Sequence, residues 1–178
     1  GRAAAGVDIR ISDDGEVLLR SPGNFSGYLN NPEKTAETIR DGWLYTGDLG
    51  RFDDDGYLFI VGRTKDMVIR GGENVYPREV EEFLYSHPRI RDVQVIGVPD
   101  RKYGEELLAW VQTDDGTELS VAEVREFCTG QIAHFKIPRY VAVIEEFPMT
   151  VTGKIQKFIL RDMAIEKFGL ESQVVETA

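Results

Sequence analysis

The chain has one cysteine in 178 residues, Cys128. No internal disulfide can form, which fits a reducing compartment, and Cys128 itself reads as the core residue of a helix. Histidine is almost as scarce. His87 and His134 have no neighbouring ligand pattern, so both read as structural or surface residues and no metal site is expected. Positive charge is in deficit, with 21 Lys and Arg against 31 Asp and Glu, a net charge of −10. That balance argues against broad binding to nucleic acid or anionic membranes, which needs a basic face. A local basic pocket for a nucleotide stays compatible with it. No run of about 18 apolar residues exists to cross a bilayer as a helix, and no charged-then-apolar signal segment opens the chain. Gly1 is not an initiator methionine, so the chain is expected to begin inside a larger or processed protein. The expected location is the cytoplasm, with an organelle matrix also compatible; the sequence says nothing of oligomeric state.

What is present is enough for a core: 42% of residues are hydrophobic, which excludes disorder by composition. Segments 7–10 and 16–20 alternate apolar and polar residues around Asp13-Asp14-Gly15, a hairpin with an Asp-Gly turn. Residues 32–39 read as a helix with Asn31 as N-cap, Pro32 first and Gly42 after its end. Segments 49–52 and 57–61 flank Asp53-Asp54-Asp55-Gly56 as a second hairpin. Beyond residue 62 the pattern turns mixed. A short strand over 67–69 runs to Gly71-Gly72, and a helix over 78–86 carries Val80, Phe83 and Leu84 on one face. Strands are expected over 93–98, 106–112 and 140–144. The 121–128 helix has Ser120 and Glu123 spaced as a capping box, and a closing helix over 159–168 stops at Gly169. The expected class is α+β, in domains 1–62 and 67–178 joined at 63–66.

Four segments carry candidate chemistry. Lys154 follows Gly153 in Pro148-Met149-Thr150-Val151-Thr152-Gly153-Lys154, so its side chain can reach out from a tight turn. An ammonium on such an arm suits a phosphate-rich transition state as a point cation. The first glycine and four-residue spacer of a Walker loop are missing. Asp48, in Tyr45-Thr46-Gly47-Asp48, is acceptor-only when ionised, which matches the two hydroxyls of a ribose. Arg63, in Gly62-Arg63-Thr64-Lys65-Asp66, offers a planar fork to phosphate or ribose oxygens. Gly71 and Gly72, in Arg70-Gly71-Gly72-Glu73-Asn74-Val75-Tyr76-Pro77, let backbone approach a ligand closely, or form a plain strand-to-helix turn. Singly, each segment has an ordinary reading as surface charge or turn. Their combination in fixed order over more than a hundred residues does not.

That combination resembles the C-terminal third of the acyl-CoA synthetases, within the adenylate-forming enzymes. Gly42 to Asp48, Asp55 to Pro77 and Pro148 to Ile155 carry the likeness, while the segments 21–28 and 134–138 look most like fatty-acid members. The resemblance implies two half-reactions: ATP and a carboxylic acid give acyl-AMP and pyrophosphate, then the thiol of CoA displaces AMP. It implies the β-rich end of a large N-terminal domain followed by a small mobile α+β lid. On this chain Asp48 would bind the ribose of ATP or AMP, and Arg63 the ribose and phosphate region. Lys65 would be the hinge, Lys154 the lysine of adenylation, and Gly71 and Gly72 would line the pantetheine tunnel. The phosphate loop, the acyl pocket and the glutamate that holds Mg²⁺ belong to segments this chain does not include, so the chain alone is expected to be inactive. Two other readings stay open: a stand-alone, non-catalytic binding module derived from the lid, and an adenylation domain serving a carrier protein.

Overall fold

The chain divides into two compact units, residues 1–65 and 66–178. The computed structural model describes residues 1–114 and 117–173.

In the first unit, β1 (Asp8–Ile11) and β2 (Glu16–Arg20) form an antiparallel hairpin. Its turn closes with Gly15 at φ 85°, a conformation that costs glycine little. β2 pairs with β4 (Trp43–Phe52), which also takes β3 (Ile39–Arg40) and β5 (Leu58–Arg63), all antiparallel. Helix α1 (Pro32–Thr38) starts as its sequence predicts: Asn31 Oδ1 accepts the Lys34 N–H at 3.0 Å and Pro32 opens the helix. Its end differs from expectation. Ile39 is already extended at φ −118°, and Asp41 and Gly42, at φ 51° and 77°, turn the β3–β4 hairpin rather than stop a helix. Val17, Leu18 and Leu49 are the unit's buried apolar residues, and Phe52, Phe59 and Ile60 on β4 and β5 are exposed.

The second unit is built on β6 (Val68–Arg70), β7 (Glu73–Val75), β8 (Ile90–Asp100), β9 (Gly104–Thr113) and β10 (Tyr140–Val143). The strand order is β10-β9-β6-β7, with β8 also on β9. All pairs are antiparallel except β10 with β9. β8 and β9 pair in continuous register from Asp92 to Asp100, with a shift next to Ile90, and their central stretches are buried and mostly apolar, the mark of strands covered on both faces. One face carries Val93, Val95, Leu107, Ala109 and Val111 into a core with Val80 and Leu84 of α2 (Pro77–Leu84) and Val124 and Cys128 of α3 (Val121–Cys128). The other carries Ile96, Val98, Leu108 and Trp110 into a second core with Leu160 and Ala164 of α4 (Lys157–Phe168). The class is α+β, as the sequence indicates.

Local chemistry fixes the helix ends. Ser120 Oγ accepts the Glu123 N–H at 3.2 Å while Glu123 Oε2 accepts the Ser120 N–H at 2.9 Å, the reciprocal capping box. Gly169 ends α4 at φ 62°. Burial pushes the Cys128 thiol up to about 11, as befits an inert core thiol. No helix among the described residues is long and apolar enough to cross a membrane.

Candidate functional site

Asp48 and Arg63 lie 15 residues apart but face each other across β4 and β5. Arg63 Nε donates to Asp48 Oδ1 at 3.2 Å. The placement depends on an irregularity. The β2–β4 register shifts between Glu16 and Leu18, Gly47 takes φ 73°, and its N–H donates to Glu16 Oε1 at 2.7 Å. Thr46 Oγ1 donates to the Val17 carbonyl at 2.7 Å and accepts the Asp48 N–H at 3.1 Å. A bulge of this kind re-aims a side chain without ending the strand. The Arg63 and Asp48 side chains are 56% and 38% exposed, so the pair adds little stability. Its consequence is orientation: a carboxylate and a guanidinium held side by side, with Asp48 Oδ2 bearing no hydrogen bond among the described residues. Lys65 follows directly, exposed in a short 3-10 turn, Thr64–Asp66.

In the second unit, Gly71 and Gly72 form the two-residue turn of the β6–β7 hairpin, at φ 60° and 92°. Positive φ at both central positions suits the right-handed twist of the flanking strands. The turn is thus strand-to-strand; β7 intervenes before α2, which corrects the strand-to-helix reading. The Gly71 N–H donates to the Tyr103 carbonyl at 2.8 Å. A Cβ at Gly71 would lie 2.9 Å from Tyr103 Cδ1, whereas one at Gly72 would meet nothing within 4 Å. Gly71 is held against protein and Gly72 is open.

Beside this turn is a cavity of about 330 Å³ lined by Arg70, Tyr103, Glu106, Arg125, His134 and Arg139 among others. Glu106 is fully buried and accepts Arg70 Nε and Nη2, both at 2.7 Å. The bond to Glu106 raises the Arg70 guanidinium above its ordinary value, against the opposing cost of burial. Arg139 Nη1 donates to Asp100 Oδ2 at 2.9 Å and lies 3.9 Å from Glu106. Asp100 Oδ1 accepts the Lys102 and Tyr103 N–H groups, each at 2.9 Å. Three guanidiniums against two carboxylates leave a local positive surplus in an acidic chain, suited to an anionic ligand. Sequence reading missed Arg70, Glu106 and Arg139 as a group. The available signal was Glu106 itself, a carboxylate at the head of an apolar run, which a strand buried on both faces tolerates only with a partner.

Lys154 sits on a third element, the loop between β10 and α4. Met149 bridges Ile155. The Thr150 N–H donates to the Lys154 carbonyl at 2.8 Å, and the Gly153 N–H to that of Thr150 at 2.9 Å. Thr150 Oγ1 accepts the Lys154 N–H at 3.1 Å, and Gly153 takes φ 77°. The backbone is thereby fixed while the Lys154 side chain is exposed, with no ion pair or hydrogen bond among the described residues. The sequence candidates thus fall on separate elements: Asp48 and Arg63 paired in the first unit, and Gly71-Gly72 and Lys154 on two different turns of the second. No cluster of three or more His, Cys, Asp or Glu able to hold a metal occurs among the described residues.

Comparison with known proteins gives a consistent picture. Residues 79–154 match the AMP-binding enzyme C-terminal domain. The chain is 54% identical over 184 residues to YngI of Bacillus subtilis, whose name assigns it to the acyl-CoA synthetases, with 97% of this chain and 34% of that protein covered. It is 45% identical over 159 residues to the human mitochondrial medium-chain acyl-CoA ligase ACSF2, with 89% of this chain and 26% of that protein covered. Among solved structures, ATP-bound MatB from Rhodopseudomonas palustris superposes with a TM-score of 0.88 at 38% identity, over 94% of this chain and 36% of that one. The chain therefore spans about a quarter to a third of the length of these relatives.

Proposed function

Since the chain belongs to the adenylate-forming acyl-CoA synthetases and corresponds to their C-terminal part, we propose that it works within an AMP-forming acid–thiol ligase. In this reading the enzyme converts a carboxylic acid, of the fatty class, to acyl-AMP and then to the CoA thioester. The observation that carries it is Lys154, whose side chain stands free on a turn closed by three hydrogen bonds between Thr150 and residues 153–154. An ammonium so held can reach between a carboxylate and the α-phosphate and offset the charge that develops between them. Asp48 accepts the ribose hydroxyls through its open Oδ2, and Arg63, bonded to Oδ1, turns its remaining N–H groups to the ribose and phosphate.

The second step requires other groups. Gly72, with open space where a Cβ would lie, offers bare backbone to a pantetheine arm. The neighbouring cavity, with Arg70, Arg125 and Arg139, supports a polyanionic thiol carrier such as CoA. Lys65 is the hinge of this reading, an exposed residue in a short turn that absorbs the φ/ψ change between the two steps. Mg²⁺ would arrive on the phosphates of ATP, with its protein ligand outside this chain. The exposed Phe52, Phe59 and Ile60 of a unit with so small a core support a sheet that packs on further protein. The medium-chain acyl-CoA ligase named among the relatives favours a fatty acid, and its mitochondrial name makes an organelle matrix as compatible a location as the cytoplasm.

The test is Lys154→Ala in the full-length polypeptide. Acid-dependent ATP–pyrophosphate exchange, run over short to long fatty acids, should fall by roughly 100-fold or more, and thioester formation from supplied acyl-AMP should change far less. Equal loss in both half-reactions would contradict separate faces for the two steps.

A further inference from the structure

We propose that the ion pair between Glu81 and Lys157 is a positioning element for Lys154, an inference that rests on the reading of Lys154 given above. Lys157 opens α4, three residues after Lys154. Its Nζ donates to Glu81 Oε1 at 2.8 Å and to the Val95 carbonyl at 3.1 Å. Glu81 Oε1 also accepts the Val95 N–H at 2.8 Å. Among the described residues β8 pairs with β9 alone, so one of its edges has no strand of theirs beside it. At Val95 the two side chains supply the donor and the acceptor that a neighbouring strand would provide. They are largely withdrawn from water, at 27% and 12% exposure.

Helix chemistry does not explain a lysine at this position. The N-terminus of a helix carries partial positive charge, which disfavours a cation in the first turn. α4 has no acidic residue there, and Gln156 makes no side-chain capping bond. Lys157 is instead accounted for by what it reaches across the fold, 76 residues away in sequence.

The reach matters because of what is attached. The turn that presents Lys154 is stiff within itself: the Gln156 N–H donates to the Pro148 carbonyl at 2.8 Å, below the bonds that close residues 150–154. A stiff turn moves as a body, so its aim is set at its base. The base is seated in two places. Phe147 and Ile155 pack into the second core, and Lys157 pins the start of α4 to β8 and α2. With the second seat removed, the turn can pivot about the first and carry Lys154 with it. Reaction geometry is sensitive to such displacement, since about 1 Å of misplacement can cost roughly 100-fold. Neither Glu81 nor Lys157 need touch substrate for this.

The experiment compares Lys154→Ala, Lys157→Met, Lys157→Arg and Glu81→Gln in the complete enzyme. Each is assayed for acyl-AMP formation and for transfer from supplied acyl-AMP to CoA. Lys157→Met should lower kcat for acyl-AMP formation by about 10- to 100-fold, leave the KM for ATP nearly unchanged and leave the transfer step intact. Lys157→Arg should recover most of the loss. Glu81→Gln keeps an oxygen for the Val95 N–H and should show the same split, more mildly, even where Lys157→Met folds poorly. Full adenylation activity in Lys157→Met beside an inactive Lys154→Ala would overturn the positioning role and leave Lys154 standing. A split absent from both Lys157→Met and Glu81→Gln would overturn it as well. An active Lys154→Ala would remove the underlying reading and this one with it.

Discussion

Replacing Glu106 by leucine should do more damage than replacing it together with Arg70. The Glu106 and Arg70 side chains are 1% and 13% exposed and share two bonds of 2.7 Å. Losing one partner of a buried pair costs about 3–5 kcal/mol, because the other charge stays behind. Here the orphan is Arg70 alone, since Arg139 keeps its bond to Asp100. Arg70 also lines a cavity that can admit water, which places the cost near the lower end, about 3 kcal/mol. For a unit of this size that is a fall in Tm of roughly 10 °C or more. In the double variant Arg70→Met with Glu106→Leu no charge is stranded, and stability should return to within about 1 kcal/mol of the starting protein. With two units a single unfolding transition cannot be assumed. The signal should therefore be the fluorescence of Trp110, buried in the second unit's second core, in a Trp43→Phe background. A double variant as unstable as the sum of the singles would refute the account of this pair.

Two further outcomes follow from local geometry. Both Gly71→Ala and Gly72→Ala place a side chain at positive φ, costing about 1–2 kcal/mol each. Only the first also drives a Cβ into Tyr103, so urea unfolding should show Gly71→Ala to be the more destabilising; equal losses would mean that Tyr103 is not held. His87 is pushed below the ordinary imidazole value of 6.5, first by burial and then by Arg89, with Glu123 opposing. The unfolded chain thus binds this proton more readily, and stability is lost as pH falls from 6.5 through the folded value. An NMR titration midpoint for His87 at or above 6.5 would contradict this, and His87→Gln should flatten that part of the pH profile.

What was legible in the sequence is what short-range chemistry specifies. Asn31, the Ser120 and Glu123 box and Gly169 each act within four residues, so spacing alone reveals them. Apolar runs marked β8 and β9, and the α+β class followed. The pairings that shape the candidate site span far longer separations. Asp48 meets Arg63 only because a bulge shifts one strand, and Gly47 at that bulge hid the first half of β4 from period-two reading. β7 is three residues long with two polar ones, too short to show any period, so Gly71-Gly72 could not be recognised as a hairpin turn. Arg70 and Glu106 lie 36 residues apart, Glu81 and Lys157 76. Nothing local in any of these residues announces its partner.

The β8–β9 hairpin has one more implication, for how the second unit folds. Its strands are joined by a connection of only three residues, so closing it sacrifices little chain entropy. Its two faces then serve as floors for two separate cores. Neither α2 with α3 on one side nor α4 on the other has a surface to settle on until that ribbon exists. β10 must return across some thirty residues to lie parallel to β9, a closure that comes at a higher entropic cost. The ribbon is therefore the natural early structure, and its central amides should be the last in the unit to exchange with solvent, surrendering their hydrogens only when both cores are lost at once.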